Sequence, residues 1–309
     1  MRCLIRWQDE ASMSKFRLYL EENNRSPVKQ LWREFKRQHS AMTGLVLFIS
    51  FFVISLLAPF ITPHDPYLQV DELLLLPPSW SAAGLVQYPF GTDDLGRDLL
   101  SRMIKGTSYT FGFALITVTG ALLMGLLLGA LAGMSKGVKS SVFNHVLDLA
   151  LTIPSLLLAI IIVAITGPGL MNTTWAIMLA LLPQFVHGIR NAIDEELKQD
   201  YVIAYRLDGA NDWDVFSRLI LPNIWEKLTI MVTMGISTAI LDIAALGFLG
   251  FGAQAPLSEW GAMISDSLDL IYLAPSSVAI PGLLIFSAVL SVNLVGDGLK
   301  TAILKRRQS

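Results

Sequence analysis

The chain has 309 residues, of which 53% are hydrophobic and only 16% charged, and its mean hydropathy is +0.55. Soluble domains carry about 25% charged residues, so composition places this chain in a membrane. A net charge of −2 argues against nucleic acid as a partner, and a single cysteine, Cys3, excludes an internal disulfide framework.

The first 40 residues are polar and hold nine Lys or Arg. They contain no apolar core of signal-peptide type, so the first hydrophobic span is expected to be an uncleaved anchor. Residues 27–38 are expected to form an amphipathic helix on the membrane surface. Six spans follow, each near the ~20 residues a bilayer needs: 41–61, 110–132, 142–165, 174–193, 228–249 and 276–294. The expected fold class is therefore all-α, a polytopic membrane protein with residues 1–40 as a tail and 41–309 as the transmembrane domain. All but three of the 23 Lys and Arg fall in the tail and alternate loops, which puts both termini in the cytoplasm. Arg97, Arg102 and Lys105 are the exceptions, in an outer loop at 62–109. The end of that loop, PFGTDDLGRDLLSRMIKG, is expected to form a short helix capped by Thr92 or Asp93. Leu95, Leu99, Met103 and Ile104 would lay it along the outer surface.

In the second span Gly125, Gly129 and Gly133 recur every four residues, the small-xxx-small pattern for close helix packing in lipid, within the chain or across a dimer. Residues 194–223 form a long polar run between spans, on the cytoplasmic side by the charge rule. It reads as two short amphipathic helices around Gly209, which suits a left-handed helix stop. Leu197, Tyr201, Ala204, Tyr205 and Leu207 recur near helical spacing before it. Asn211 is placed to cap the second helix, and Pro222 to close the segment. Trp213, Phe216 and Ile220 share one face there. An aromatic-faced hairpin held in water suggests a docking surface; an ordinary interfacial loop is the plainer alternative. Asp242 lies about fourteen residues into the fifth span among apolar neighbours. A lipid-facing carboxylate there is costly, so it faces a translocation path or makes a structural hydrogen bond, to Ser237, Thr238 or another span.

No Gly-Lys dipeptide occurs, so no phosphate loop exists, and GFLGFG ends an apolar span without a preceding strand pattern. His39, His64, His145 and His187 show no metal-ligand spacing, and His145 with Asp148 reads as an interfacial hydrogen bond. No metal, cofactor or catalytic set is expected, so the chain is not read as an enzyme.

YVIAYRLDGA, with the Leu221–Pro222 that follows it, resembles the EAA loop of binding-protein-dependent ABC importers. Ala204, Gly209, Leu221 and Pro222 match that motif, while Ile203 stands at its Glu and Tyr205 at its second Ala. GTDDLGRDLLSR, ALGFLGFGAQAP, EWGAM and NLVGDGLK are similar to the C-type permeases of dipeptide and oligopeptide transporters, in the right order from about residue 40 onward. LLPPSWS, NHVLD, IPSLLLAIIIVA and ILDIAALGFL resemble the branch ascribed to antimicrobial-peptide resistance and to putrescine export. The resemblance implies a type I importer fold in the inner membrane of a Gram-negative bacterium. It implies a homologous partner permease, two ABC ATPase subunits, a periplasmic solute-binding protein and contact with membrane lipid. The hairpin would be the coupling helix, carrying Tyr201, Ala204, Tyr205, Gly209, Trp213, Phe216, Leu221 and Pro222 to the ATPase. Alternating access would move cationic peptides or putrescine, with Asp242 on the path. A secondary transporter or channel needing no ATPase is the alternative.

Overall fold

A computed structural model describes residues 27–134 and 149–308, together with His145 and Leu147. The Asp148 side of the His145 pair, Cys3, and most of the tail lie outside the described residues. The described chain is helical, with one isolated bridge between Thr92 and Asp98. Its helices are α1 (Pro27–Lys36), α2 (His39–Ile61), α3 (Leu99–Thr107), α4 (Phe113–Met134), α5 (Ser155–Thr166), α6 (Leu170–Leu197), α7 (Asp200–Leu207), α8 (Asp212–Asp214), α9 (Leu221–Phe248), α10 (Trp260–Asp266) and α11 (Pro275–Gln308). Five continuous helices among the described residues are long and apolar enough to cross a membrane: His39–Ile61, Leu99–Met134, Leu170–Leu197, Asp212–Phe248 and Pro275–Arg306.

The expected third span, 142–165, is represented by α5, only 12 residues long. The chain breaks at 152–154, because Pro154 disfavours helix in the residue before it and has no N–H to continue one. Part of what precedes the break lies outside the described residues.

The expected surface helix before the second span is a different object. Asp98, not Thr92 or Asp93, caps α3, accepting from Ser101 N. Helix α3 then runs through a π-turn at Ser108–Gly112 into α4 without a break. Leu99 and Met103 are buried, so α3 is the packed end of the second span. Thr92 serves elsewhere, since its hydroxyl accepts from Leu76 N and donates to Leu73 O, pinning the preceding loop. Asp93 accepts from Leu95 N and Arg97 N and pairs with Arg97 Nε at 2.6 Å and Arg102 Nη1 at 3.2 Å. The DDLGRDLLSR run thus folds as a buried charge cluster that fastens the loop to α3.

The glycine stripe of α4 packs inside the chain, against α6. A Cβ on Gly125 would stand 2.8 Å from Phe185 Cβ, one on Gly129 2.9 Å from Ile189 Cγ2, and one on Gly133 3.0 Å from Ile193 Cγ2. Phe185, Ile189 and Ile193 recur every four residues, so a bare ridge on α4 receives a branched ridge on α6. Around this pair lies one core cluster that includes Phe111, Val118, Leu181, Ile240 and Trp260.

Helix α1 is amphipathic, as its pattern predicts, but its apolar face is packed on protein. Leu31 and Phe35 are buried with Ala41, Ala302 and Ile303, between the start of α2 and the end of α11. At the opposite end Glu259 caps α10, accepting from Ala262 N at 2.9 Å and Thr110 Oγ1 at 2.7 Å. Burial pushes its carboxyl upward against those hydrogen bonds. Helix α10 crosses the end of α9 so closely that a Cβ on Gly261 would fall 2.0 Å from Ala244 O, which accounts for the glycine of EWGAM.

Candidate functional site

The hairpin is built by local rules. Helix α7 ends at Leu207, and Gly209 follows with φ +90° and nothing within 4 Å of where a Cβ would lie. Only the absence of a side chain makes that conformation inexpensive. Asn211 Oδ1 accepts from Asp214 N at 2.8 Å and starts α8. Arg206 Nη2 meets Asp212 Oδ1 at 3.0 Å across the turn.

Beyond α8 the structure departs from the expected second hairpin helix. Residues Val215–Ile220 form a π-turn that leads straight into α9, giving one continuous helix, Asp212–Phe248. Pro222 does not close the segment; it sits in the first turn of α9, where its missing N–H is tolerated. Leu221 N donates to Phe216 O, a π-type bond just ahead of the proline ring. The arm that carries Trp213 is therefore rigidly continuous with a membrane-crossing helix.

The expected contact residues divide in two. In α7, Val202 is fully buried and Tyr205 half-buried, so the inward face runs through these two residues. Tyr205 and Phe216 pack against the main core. Leu221 is half-buried as well, whereas Ala204, Gly209 and Pro222 are exposed. Tyr201 is exposed, and its hydroxyl accepts from Asn223 Nδ2 at 3.0 Å, tying α7 to the root of α9. Trp213 is 72% exposed and tilts against Phe216 at 6.1 Å. Two further apolar residues lie on the outer face: Ile203 and, at 83% exposure, Leu207, one helical turn apart. The signal was available, since Ile203 occupies the Glu position of the loop motif. Trp213 and Phe216 also border a groove of about 560 Å³ against Leu123, Leu127 and Leu131 of α4.

Asp242 is 7% exposed, in the last third of α9. Its partner is Ser155, the first residue of α5, and its Oδ2 is buried with no hydrogen-bond partner among the described residues. The two hydroxyls expected nearby are engaged elsewhere: Ser237 donates to Asn293 Oδ1 and Thr238 to Met234 O. Asp242 and the hairpin therefore share one helix but not one site.

Three residues at the root of α9 point three ways. Asn223 bonds Tyr201 of α7, Lys227 pairs with Glu195 of α6, and Glu226 pairs with Arg306 of α11 at 2.6 Å. The last was invisible in the sequence, because its members lie 80 positions apart.

Among known proteins, the chain is 46% identical over 287 residues to the peptide transport system permease protein SapC of Escherichia coli O6:H1, covering 93% of this chain and 97% of that protein. It is 47% identical to SapC of Salmonella typhimurium LT2, with the same coverage. It is 44% identical to the di/tripeptide transport system permease protein DppC of Pseudomonas aeruginosa UCBPP-PA14, over 90% of this chain and 92% of that protein. Among solved structures, the inward-facing MetNI methionine ABC transporter matches with TM-scores of 0.51 and 0.52 at 14% and 15% identity. The match covers 64% and 65% of this chain and 95% and 97% of the other, a likeness of fold alone. Residues 26–78 match the N-terminal transmembrane domain of oligopeptide transport permease C. Residues 125–309, which hold the glycine ridge, the hairpin, Asp242 and the Glu226–Arg306 pair, match the model of a binding-protein-dependent transport system inner membrane component, and the chain belongs to that family.

Proposed function

We propose that this chain is the permease subunit of an ATP-driven peptide transporter. The hairpin is its docking surface for an ATPase subunit, with both termini on the ATPase side. The observation that carries the reading is the outer face of the hairpin. Ile203, Leu207 and Trp213 are apolar and exposed around a braced glycine turn, on an arm continuous with a membrane-crossing helix. Apolar and aromatic anchors of this kind commonly dominate an interface. Ile203 in place of the motif's Glu makes that contact apolar rather than charge-assisted. Two ATPase subunits, a homologous partner permease and a solute-binding protein complete the assembly, and ATP-driven closure moves the hairpin and with it α9. The names of the relatives support peptides as the solute. Asp242 suits a cationic one, a basic antimicrobial peptide or putrescine.

The test is purification of the tagged permease with its ATPase subunits, followed by transport in proteoliposomes with peptides and putrescine as competitors. Ile203→Asp, Leu207→Asp and Trp213→Ala together should release the ATPase while the permease stays folded. Recovery equal to wild type refutes the docking face, and transport that persists without an ATPase refutes the ATP-driven reading altogether.

A further inference from the structure

We propose that Glu226 and Arg306 form a coupling strut, a pair of positioning residues that forces α11 to follow the hairpin when the ATPase moves it. The inference rests on the docking role proposed for the hairpin.

The root of α9 carries three cross-links of unequal character. The bonds from Asn223 to Tyr201 and from Lys227 to Glu195 lie at exposed positions, where water competes for both partners. The Glu226–Arg306 pair is different: the two side chains are 4% and 21% exposed, and the charged atoms stand 2.6 Å apart. Separating so deeply buried a carboxylate from its guanidinium is costly. Apolar side chains slide past one another, because burial has no direction. A buried ion pair does not. The first turns of α9 are therefore held to the last turns of α11 throughout any motion that keeps the pair dry.

The far side of the strut is equally fixed. Ala302 and Ile303, one turn from Arg306, are buried with Leu31, Phe35 and Ala41. Gln38 Nε2 donates to Gly298 O at 3.2 Å, and a Cβ on Gly298 would meet Ala41 Cβ at 2.3 Å. Helices α1 and α2 are thereby locked to the end of α11. Displacement of the hairpin passes along the α9 root, through Glu226 and Arg306, into three further helices. Sequence spacing hides this route, and the loop motif contains neither residue.

The complete complex, reconstituted with ATPase subunits, partner permease and binding protein, tests it by the ratio of solute moved to ATP hydrolysed. Glu226→Gln and Arg306→Gln should each lower that ratio about fivefold or more with ATPase still bound and hydrolysing. Arg306→Lys, which keeps the charge, should restore most of it. The double variant Glu226→Gln/Arg306→Gln replaces the ions by two amides that can bond each other, so it should assemble and remain uncoupled. A double variant that couples like wild type overturns the strut. Loss of assembly in every neutral variant does so too, because the pair is then a folding element. A wild-type permease that never retains an ATPase refutes the docking reading instead.

Discussion

Replacing Gly209 by Val tests whether the hairpin's geometry, rather than its composition, serves the ATPase. Gly209 has φ +90°, and a Cβ there would touch nothing within 4 Å. The penalty is thus purely conformational, about 1–2 kcal/mol for an L-residue in the left-handed region. What opposes relaxation of the turn is the Arg206–Asp212 pair, whose side chains are 31% and 76% exposed. Such a pair is worth ~0–1 kcal/mol, less than the strain. The turn should therefore relax by giving up the pair, and α7 should swing relative to α8. Because α8 is continuous with α9, the swing falls on α7, which carries Ile203 and Leu207. The assay is recovery of ATPase with the purified permease, alongside thermal unfolding in detergent. Gly209→Val should lose most of the ATPase with little change in unfolding of the membrane body. Gly209→Asn should recover much of it, since Asn tolerates positive φ. Equal ATPase recovery from Val, Asn and Gly at this position would refute the reasoning.

Three further outcomes are expected. Gly129→Val should destabilise the α4–α6 pair by about 1–3 kcal/mol through overpacking, because its Cβ alone would lie 2.9 Å from Ile189 Cγ2; a cavity-making Ile189→Ala in the same chain should relieve part of the loss in a detergent melt. Asp242→Asn should assemble and hydrolyse ATP yet lose transport of cationic solutes, whereas normal transport by Asn with failed assembly of Asp242→Leu would make the carboxylate structural. Glu259→Ala should lower stability by about 2–4 kcal/mol, since the cap of α10 and the bond from Thr110 go together, and an unchanged melting temperature would show the cap to be dispensable.

What the sequence revealed about the hairpin was what local chemistry decides. Gly209 and Asn211 act within four residues of themselves, so spacing suffices to place them. Tyr201 is exposed, as a docking face requires, but its bond to Asn223, 22 residues on, and the burial of Val202 were not legible from spacing. Pro222 read as a stop because a proline inside a helix usually is one, but a π-turn ahead of it removes the conflict. Thr92 and Asp93 read as caps, and tertiary contacts claimed both, leaving that task to Asp98. The glycine ridge of α4 was legible as a close-packing surface, but not its partner, since any branched ridge of the same period would fit.

Buried ionisable groups differ along the chain in what they are bonded to. Near the hairpin Glu226 has Arg306, and at the other end Asp93 has Arg97 and Arg102. Glu259 has no cation among the described residues, but both of its oxygens accept hydrogen bonds. Each of these groups holds elements together. Asp242 is met by one hydroxyl, and its second oxygen is buried without a hydrogen-bond partner among the described residues, as is Oδ1 of Asp98. Its one contact, Ser155, opens α5, which follows the break at 152–154 and ends at Gly167, where φ is +91°. A short helix bounded in this way can shift without unwinding its neighbours. On the docking role proposed for the hairpin, a carboxylate with spare hydrogen-bonding capacity, facing such a helix and carried on α9, is where we propose that a polar solute crossing the bundle bonds.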